Sequence, residues 1–194
     1  MTDIANIIID WLVEIMLSIG PSAGFFIVIL ESIIPILPLA VFIALNKISY
    51  GAVTGIILSW IGTITGCMIS FYIFRKGFSK YLYKDSLKDS KVVIWTKKIA
   101  NMNFTTLVLL LALPFTPAFA VNIAAGLSKI SPKTFLLALL ISKISIVYFW
   151  GFIGTSFVES IQNPIIILQV IAILIITYFI TIIVNGLFKI ERKK

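Results

Sequence analysis

Histidine is absent from these 194 residues, and cysteine occurs once, at Cys67. The first absence removes the usual zinc sites, Ser-His-Asp triads and phosphohistidine intermediates. The second removes any disulfide within the chain. Acids are also scarce, eight against sixteen Lys and Arg, and they are scattered. An enzyme of the membrane surface, such as a lipid phosphatase or headgroup transferase, needs clustered acids or metal ligands. That class is not expected here, and no cofactor or metal is implied. Charged residues of both signs make up only 12% of the chain. Soluble domains carry about twice that share, because they must solvate their surface.

What fills the chain instead is apolar: 60% of residues are hydrophobic, and they come in long blocks rather than at helical intervals. The solvent for most of this protein is therefore lipid. The net charge of +8 is informative through its placement. Half of the bases fall between Arg75 and Lys98, and four more lie in the last six residues. Bases clustered beside hydrophobic segments follow the positive-inside rule and favour anionic headgroups, so no nucleic-acid partner is expected. The N-terminus lacks the basic region and cleavage site of a signal peptide, which predicts that nothing is removed.

Residues 1–20 hold three acids among apolar residues. Asp3, Asp10 and Glu14 fall within about 40° on a helical wheel, away from Trp11 and Met16, which predicts an amphipathic helix on the membrane surface. Gly20-Pro21 ends it. The first apolar block, 23–45, is interrupted by Pro35 and Pro38. Two prolines three apart break a helix and leave arms of about 12 and 7 residues, about 18 and 10 Å long. Each is too short for a hydrocarbon core of about 30 Å, so a re-entrant hairpin is expected. Residues 52–74 then read as a spanning helix. On it, Gly51, Gly55, Ser59, Gly62, Gly66 and Ser70 make a smooth face for close helix packing. A polar, basic loop over 75–103 follows, with Phe78, Tyr81, Tyr83 and Trp95 among its lysines.

Residues 104–127 repeat the broken pattern around Pro114 and Pro117. Residues 134–157 and 164–187 read as two further spanning helices. The basic loop 75–103 and the C-terminal tail belong in the cytoplasm, whereas the connection near Glu159 and Asn163 carries no Lys or Arg and belongs outside. The first hairpin then enters and leaves from outside, and the second from inside. The fold expected is all-α and integral to the membrane: an inverted repeat of re-entrant hairpin plus transmembrane helix, with an amphipathic helix before it and a transmembrane helix after it. Within one membrane domain over 1–194, the units are 21–74 and 104–157, followed by 158–194. The hairpin exits, Leu45–Ser49 and Leu127–Ser131, also match in part, but Lys-Ile-Ser recurs at Lys143–Ser145, so topology and the paired prolines carry the repeat.

The run Glu31-Ser-Ile-Ile-Pro35-Ile-Leu-Pro38 resembles the first hairpin of the DedA or SNARE-associated Golgi protein-like superfamily. The stretch from Pro114-Phe-Thr-Pro117 through Asn122 to Gly126 resembles its second hairpin, and Arg75 with its basic linker also fits. The resemblance covers about residues 20–190. It implies a multi-pass protein of the bacterial plasma membrane that moves lipids between leaflets, as the family's undecaprenyl phosphate carriers and scramblases do. Some members are linked to proton coupling through an acid just after the hairpin prolines and to arginines around the second hairpin. Here Ala40 stands two beyond Pro38 and no arginine flanks Pro114, which points to the Tvp-type branch.

Two charges lie deep in apolar sequence. Glu31 is near the first hairpin tip, and Lys143 is about 15 Å along its helix from Lys133. A charge at the bilayer centre costs about 2.5–3.5 kcal/mol, so it needs a partner or a wet cavity. The two are expected to face one polar cavity, either as a headgroup site or as a structural ion pair. Asn46, Asn122 and Thr116, at hairpin turns or exits, are expected to satisfy carbonyls freed by the prolines or to meet the ligand. Gly126 serves backbone geometry or close packing, while Pro35, Pro38, Pro114 and Pro117 shape the hairpins. The leading expectation is a flippase or scramblase for anionic lipids or polyprenyl phosphates. A proton- or ion-coupled small-solute transporter and a non-transporting membrane organiser stay open, as does a homo-oligomer.

Overall fold

The structure, a computed structural model, describes residues 2–35, 38–78, 91–160 and 164–190. Nine α-helices fill the described residues: α1 Thr2–Ile19, α2 Pro21–Ile33, α3 Leu39–Tyr50, α4 Ala52–Ile73, α5 Lys91–Ala100, α6 Phe104–Ala112, α7 Ala118–Leu127, α8 Pro132–Ser160 and α9 Pro164–Ile190. A π-helical turn, Phe74–Phe78, extends α4. Among the described residues, three helical stretches are long and apolar enough to cross a bilayer: Ala52–Gly77, Pro132–Glu159 and Ile165–Val184. The stretch 79–90 with Tyr81 and Tyr83, the connection 161–163 and the tail 191–194 lie outside the described residues.

Prolines set the breaks. Ile34, before Pro35, is extended at φ −130° and ψ 93°, because a residue preceding proline is pushed out of the helical region. Leu113, before Pro114, is extended in the same way at φ −78° and ψ 123°. There the chain turns tightly, with Thr116 N–H donating to Leu113 O at 3.1 Å, and Pro114 sits at the turn position that its fixed φ suits. Glycines make two other corners: Gly20 and Gly51 have φ +84° and +82°, a region costly for any side chain with a Cβ. At Gly20 the chain bends by 111° between α1 and α2. The Tyr50 hydroxyl braces that corner, within 2.6 Å of Met16 O and 2.7 Å of Gly20 O, and donates to one of them.

Helices α2 and α3 have 13 and 12 residues, and α6 and α7 have 9 and 10. None exceeds about 20 Å, short of the hydrocarbon thickness. The second arm of the first pair is longer than the sequence suggests, running to Tyr50 rather than ending at Leu45. Asn46 and Lys47 are therefore helical, whereas Ser128 follows the last turn of α7 and Lys129 is non-helical. The two hairpin exits therefore differ in structure. The reason is tertiary: Lys47 Nζ donates to Gly151 O at 3.2 Å and Thr155 Oγ1 at 3.3 Å on α8, which lets a lysine stay in a buried helix.

The smooth face of α4 receives the first broken pair. Gly55, Ser59, Gly62, Gly66 and Ser70 are buried, while Gly51 is a corner outside that face. A Cβ on Gly55 would stand 2.5 Å from the Asn46 carbonyl, and one on Gly66 would stand 2.7 Å from Ile29 O. Three packing relations recur in both halves: α1 lies on α3 as α5 lies on α7, α2 on α4 as α6 on α8, and α3 on α8 as α7 on α4; the close packing of α3 on α2 and α4 is particular to the first half. The repeat thus takes in the helix before each broken pair. Part of the stretch read as a basic loop is helix α5, whose Ile99 is fully buried in the core with Phe71, Leu107 and Phe135. Phe71 and Phe135 stack at 4.8 Å, and Trp60 Nε1 donates to Leu140 O at 3.2 Å, so α4 and α8 bind the halves together.

Candidate functional site: a cavity between the two proline turns

Both proline turns face one partly open cavity of about 320 Å³. Pro35 and Pro38 line one side and Pro114 and Pro117 another; α4 supplies Thr63 and Cys67, and α8 supplies Lys143, Ile146 and Trp150. Most of the lining is apolar. The exceptions are one carboxylate, Glu31, one ammonium, Lys143, and the hydroxyls of Ser32, Thr63 and Thr116. Thr63 spends its hydroxyl on Ser59 O at 2.6 Å. Ser32 Oγ and Thr116 Oγ1 are buried with no hydrogen-bond partner. Buried polar atoms normally have partners, and an orphan at a cavity wall marks a place where a ligand or water completes the bonding.

Lys143 is 2% exposed, among the largest fully buried side chains of the chain. Among the described residues, no hydrogen bond or direct ion pair holds its Nζ; the opposite charge on the same cavity is Glu31. Thr116 lies on the turn between them in sequence and lines the cavity as well. Asn122 does not line it: it is fully buried on α7, and neither amide atom is bonded. Among the described residues, Asn46, Asn122 and Thr116 do not satisfy carbonyls freed by the prolines. Asn46 Nδ2 donates to Gly24 O at 3.2 Å and Ser59 Oγ at 2.9 Å, tying α3 to α2 and α4. Gly126 has ordinary helical backbone; a Cβ there would stand 2.5 Å from Phe71 O, so close packing is its role.

The VTT domain model matches residues 34–156, from the first proline turn to near the end of α8. This chain belongs to the VTT domain family. It is 37% identical over 161 residues to the uncharacterized membrane protein YhjE of Bacillus subtilis (strain 168), covering 81% of this chain and 75% of that protein. It is 26% identical over 126 residues to the uncharacterized protein YqeD of the same organism, covering 65% of this chain and 61% of that one. No solved structure matches the chain. The VTT domain holds both proline turns and Lys143, whereas Glu31 and Ser32 lie just before its start.

Two cations of the VTT domain act as braces. Lys47 joins α3 to α8, as described above. Arg75, on the π-helical turn, donates from Nε to Gly126 O at 3.1 Å and from Nη2 to Ser128 O at 2.6 Å and Ala125 O at 3.4 Å. Its guanidinium also lies over the Phe71 ring at 4.4 Å. These carbonyls lie in and just beyond the last turn of α7, where a helix C-terminus lacks backbone donors, and a planar fork suits them. Arg75→Ala is expected to lower stability by about 1.5–3 kcal/mol, the range for hydrogen bonds to a charged group, and Arg75→Lys to restore only part. Denaturant titration in detergent reads this directly.

Sequence reasoning missed Trp150 and Ser32 at the cavity. Ser32 had a signal, since it adjoins Glu31. Trp150 had none, because one aromatic residue in an apolar helix is indistinguishable from its neighbours until the turn opposite is placed. It meets Phe115 of the second turn edge-on, at 5.9 Å between centroids. Position 40, where the resemblance expects an acid, is Ala40, buried against Gly154 of α8.

Proposed function

We propose that this VTT protein is a lipid transporter that passes the anionic headgroup of a phospholipid or polyprenyl phosphate between leaflets, through the cavity under the two proline turns. The observation that carries the reading is Lys143: a lysine 2% exposed, lining a cavity and bonded to no atom of the described residues. An unpaired ammonium at membrane depth is expensive, and a phosphate offsets that cost with charge-assisted hydrogen bonds. Ser32 and Thr116 add hydroxyl donors for its remaining oxygens, while Glu31 competes for Lys143 when the cavity is empty. The broken helices on either side are the backbone that such a site needs, since short arms bring their ends to membrane depth. In this reading the pairs are re-entrant, and the stretch 75–103 and the tail face the cytoplasm, as the lysine bias directs.

Leaflet exchange of fluorescent anionic and zwitterionic lipids in proteoliposomes tests it. Exchange faster than in empty liposomes, and faster for the anionic probe, is the expected result. Exchange equal to that of empty liposomes overturns it in favour of a structural role, and uptake of inorganic phosphate without lipid exchange would put a small-solute carrier in its place. Glu31→Gln removes the competing carboxylate and is expected to raise anionic exchange several-fold. Loss of exchange in that variant would instead make the carboxylate an obligatory proton site.

A further inference from the structure

A second cavity, about 390 Å³, lies beside the first and is lined by apolar groups alone. Its size falls within the range of about 300–1,000 Å³ typical of small-molecule sites. It shares Pro38 and Trp150 with the polar cavity, so those two residues border both. On α3 the lining runs on from Pro38 through Val41 and Leu45 to Ile48, one face of the helix over about 15 Å. Ile9 of α1, Phe157 of α8 and Leu174 of α9 close its other sides. Small residues set its floor: a Cβ on Gly154 would run into the Ala40 carbonyl and stand 2.9 Å from Ala44 Cβ.

We infer that this groove holds one acyl chain of the anionic phospholipid whose headgroup occupies the polar cavity. The inference rests on the transport reading and sharpens it, since a chain in the groove travels within the protein rather than in bulk lipid. The argument is the division of polarity. Every charged group and orphan hydroxyl of the pair lines the first cavity, and apolar groups line the second. That is the polarity of a phospholipid, with its headgroup–chain junction at the two shared residues. A soluble phosphate would leave the groove unused, and a second transported ion would find no ligand in it.

The test is photolabelling in detergent with a phosphatidylglycerol that carries a diazirine in one acyl chain, with unlabelled phosphatidylglycerol as competitor and adducts mapped by mass spectrometry. Val41 is 43% exposed and lines the groove, so Val41→Trp fills it without entering the core. Leu174→Trp fills it from the opposite wall. Competable adducts on Ile48, Phe157 and Leu174 are expected in the wild type. Excluding even two methylenes corresponds to roughly a tenfold loss of occupancy, which both tryptophan variants should show. Adducts spread evenly over lipid-facing positions such as Ile176 and Phe179, and unchanged in both variants, would overturn the groove. Protection of the groove in a dimeric fraction would put a second copy there and overturn it as well. Lipid exchange measured alongside separates the two claims: exchange without groove labelling removes only this inference, and groove labelling without exchange removes only the transport reading.

Discussion

Lys143→Ala is expected to slow leaflet exchange of an anionic lipid roughly ten- to hundredfold while leaving the protein folded. The size follows from a hydrogen bond to a charged group, about 1.5–3 kcal/mol, with each 1.4 kcal/mol worth a factor of ten. Folding stability decides between the two roles open to this residue. Removing one partner of a buried ion pair strands the other charge and costs roughly 3–5 kcal/mol. Lys143 makes no direct ion pair among the described residues, so its removal deletes a buried charge while Glu31, on the same cavity, loses only a longer-range attraction. Stability should stay level or rise. Exchange assays paired with denaturant titration of Lys143→Ala and Lys143→Met give both quantities. A variant that unfolds early and keeps its residual exchange rate would make Lys143 a structural brace and end the headgroup assignment.

The second large effect is on folding. Gly55→Leu should abolish a stable fold, and Gly55→Ala should cost about 1–3 kcal/mol, the usual penalty for overpacking. A Cβ at this position would lie 2.5 Å from the carbonyl carbon and oxygen of Asn46 and from the amide nitrogen of Lys47. Those are backbone atoms inside α3, so they cannot rotate away as a side-chain tip would. The whole helix must lift off α4. Asn46 would then lose its bonds to Gly24 O and Ser59 Oγ in the same movement. Gly77, with nothing within 4 Å of a built Cβ, is the internal control, and Gly77→Ala should be silent. Size-exclusion profiles and melting curves in detergent measure both. Equal behaviour of the Gly55 and Gly77 variants would refute the contact.

The parts of this architecture that the sequence reveals are those set by local chemistry. Prolines act on the residue before them, so the breaks at Pro35 and Pro114 are legible; apolar length announces the helices that became α4, α8 and α9. The small-residue face of α4 is legible too, because four-residue spacing needs no partner to be seen. What escaped was set by distant residues. Lys47 reads as a hairpin exit by its charge, yet it is helical because Gly151, 104 positions later, accepts from it. Helix α5 reads as loop by its lysines, yet Ile99 anchors it in the core. At the site, Glu31 and Lys143 stand out because charge in apolar sequence is rare. The apolar groove beside them is silent, since its residues differ from their neighbours only in what they face.

The exchange of partners between halves also constrains how the chain is made. Helix α3 leans on α8 as well as on its own α4, and Ile43 sits against Gly151. When the ribosome has delivered the first four helices, Ile43, Ala44 and the Lys47 ammonium still lack the surface that will cover them. That surface is synthesised about a hundred residues later, after the basic stretch and the second proline turn. The first half must therefore wait in the membrane as an incomplete assembly, and its closure coincides with the arrival of the helix that carries Lys143. Biogenesis and completion of the cavity are one event.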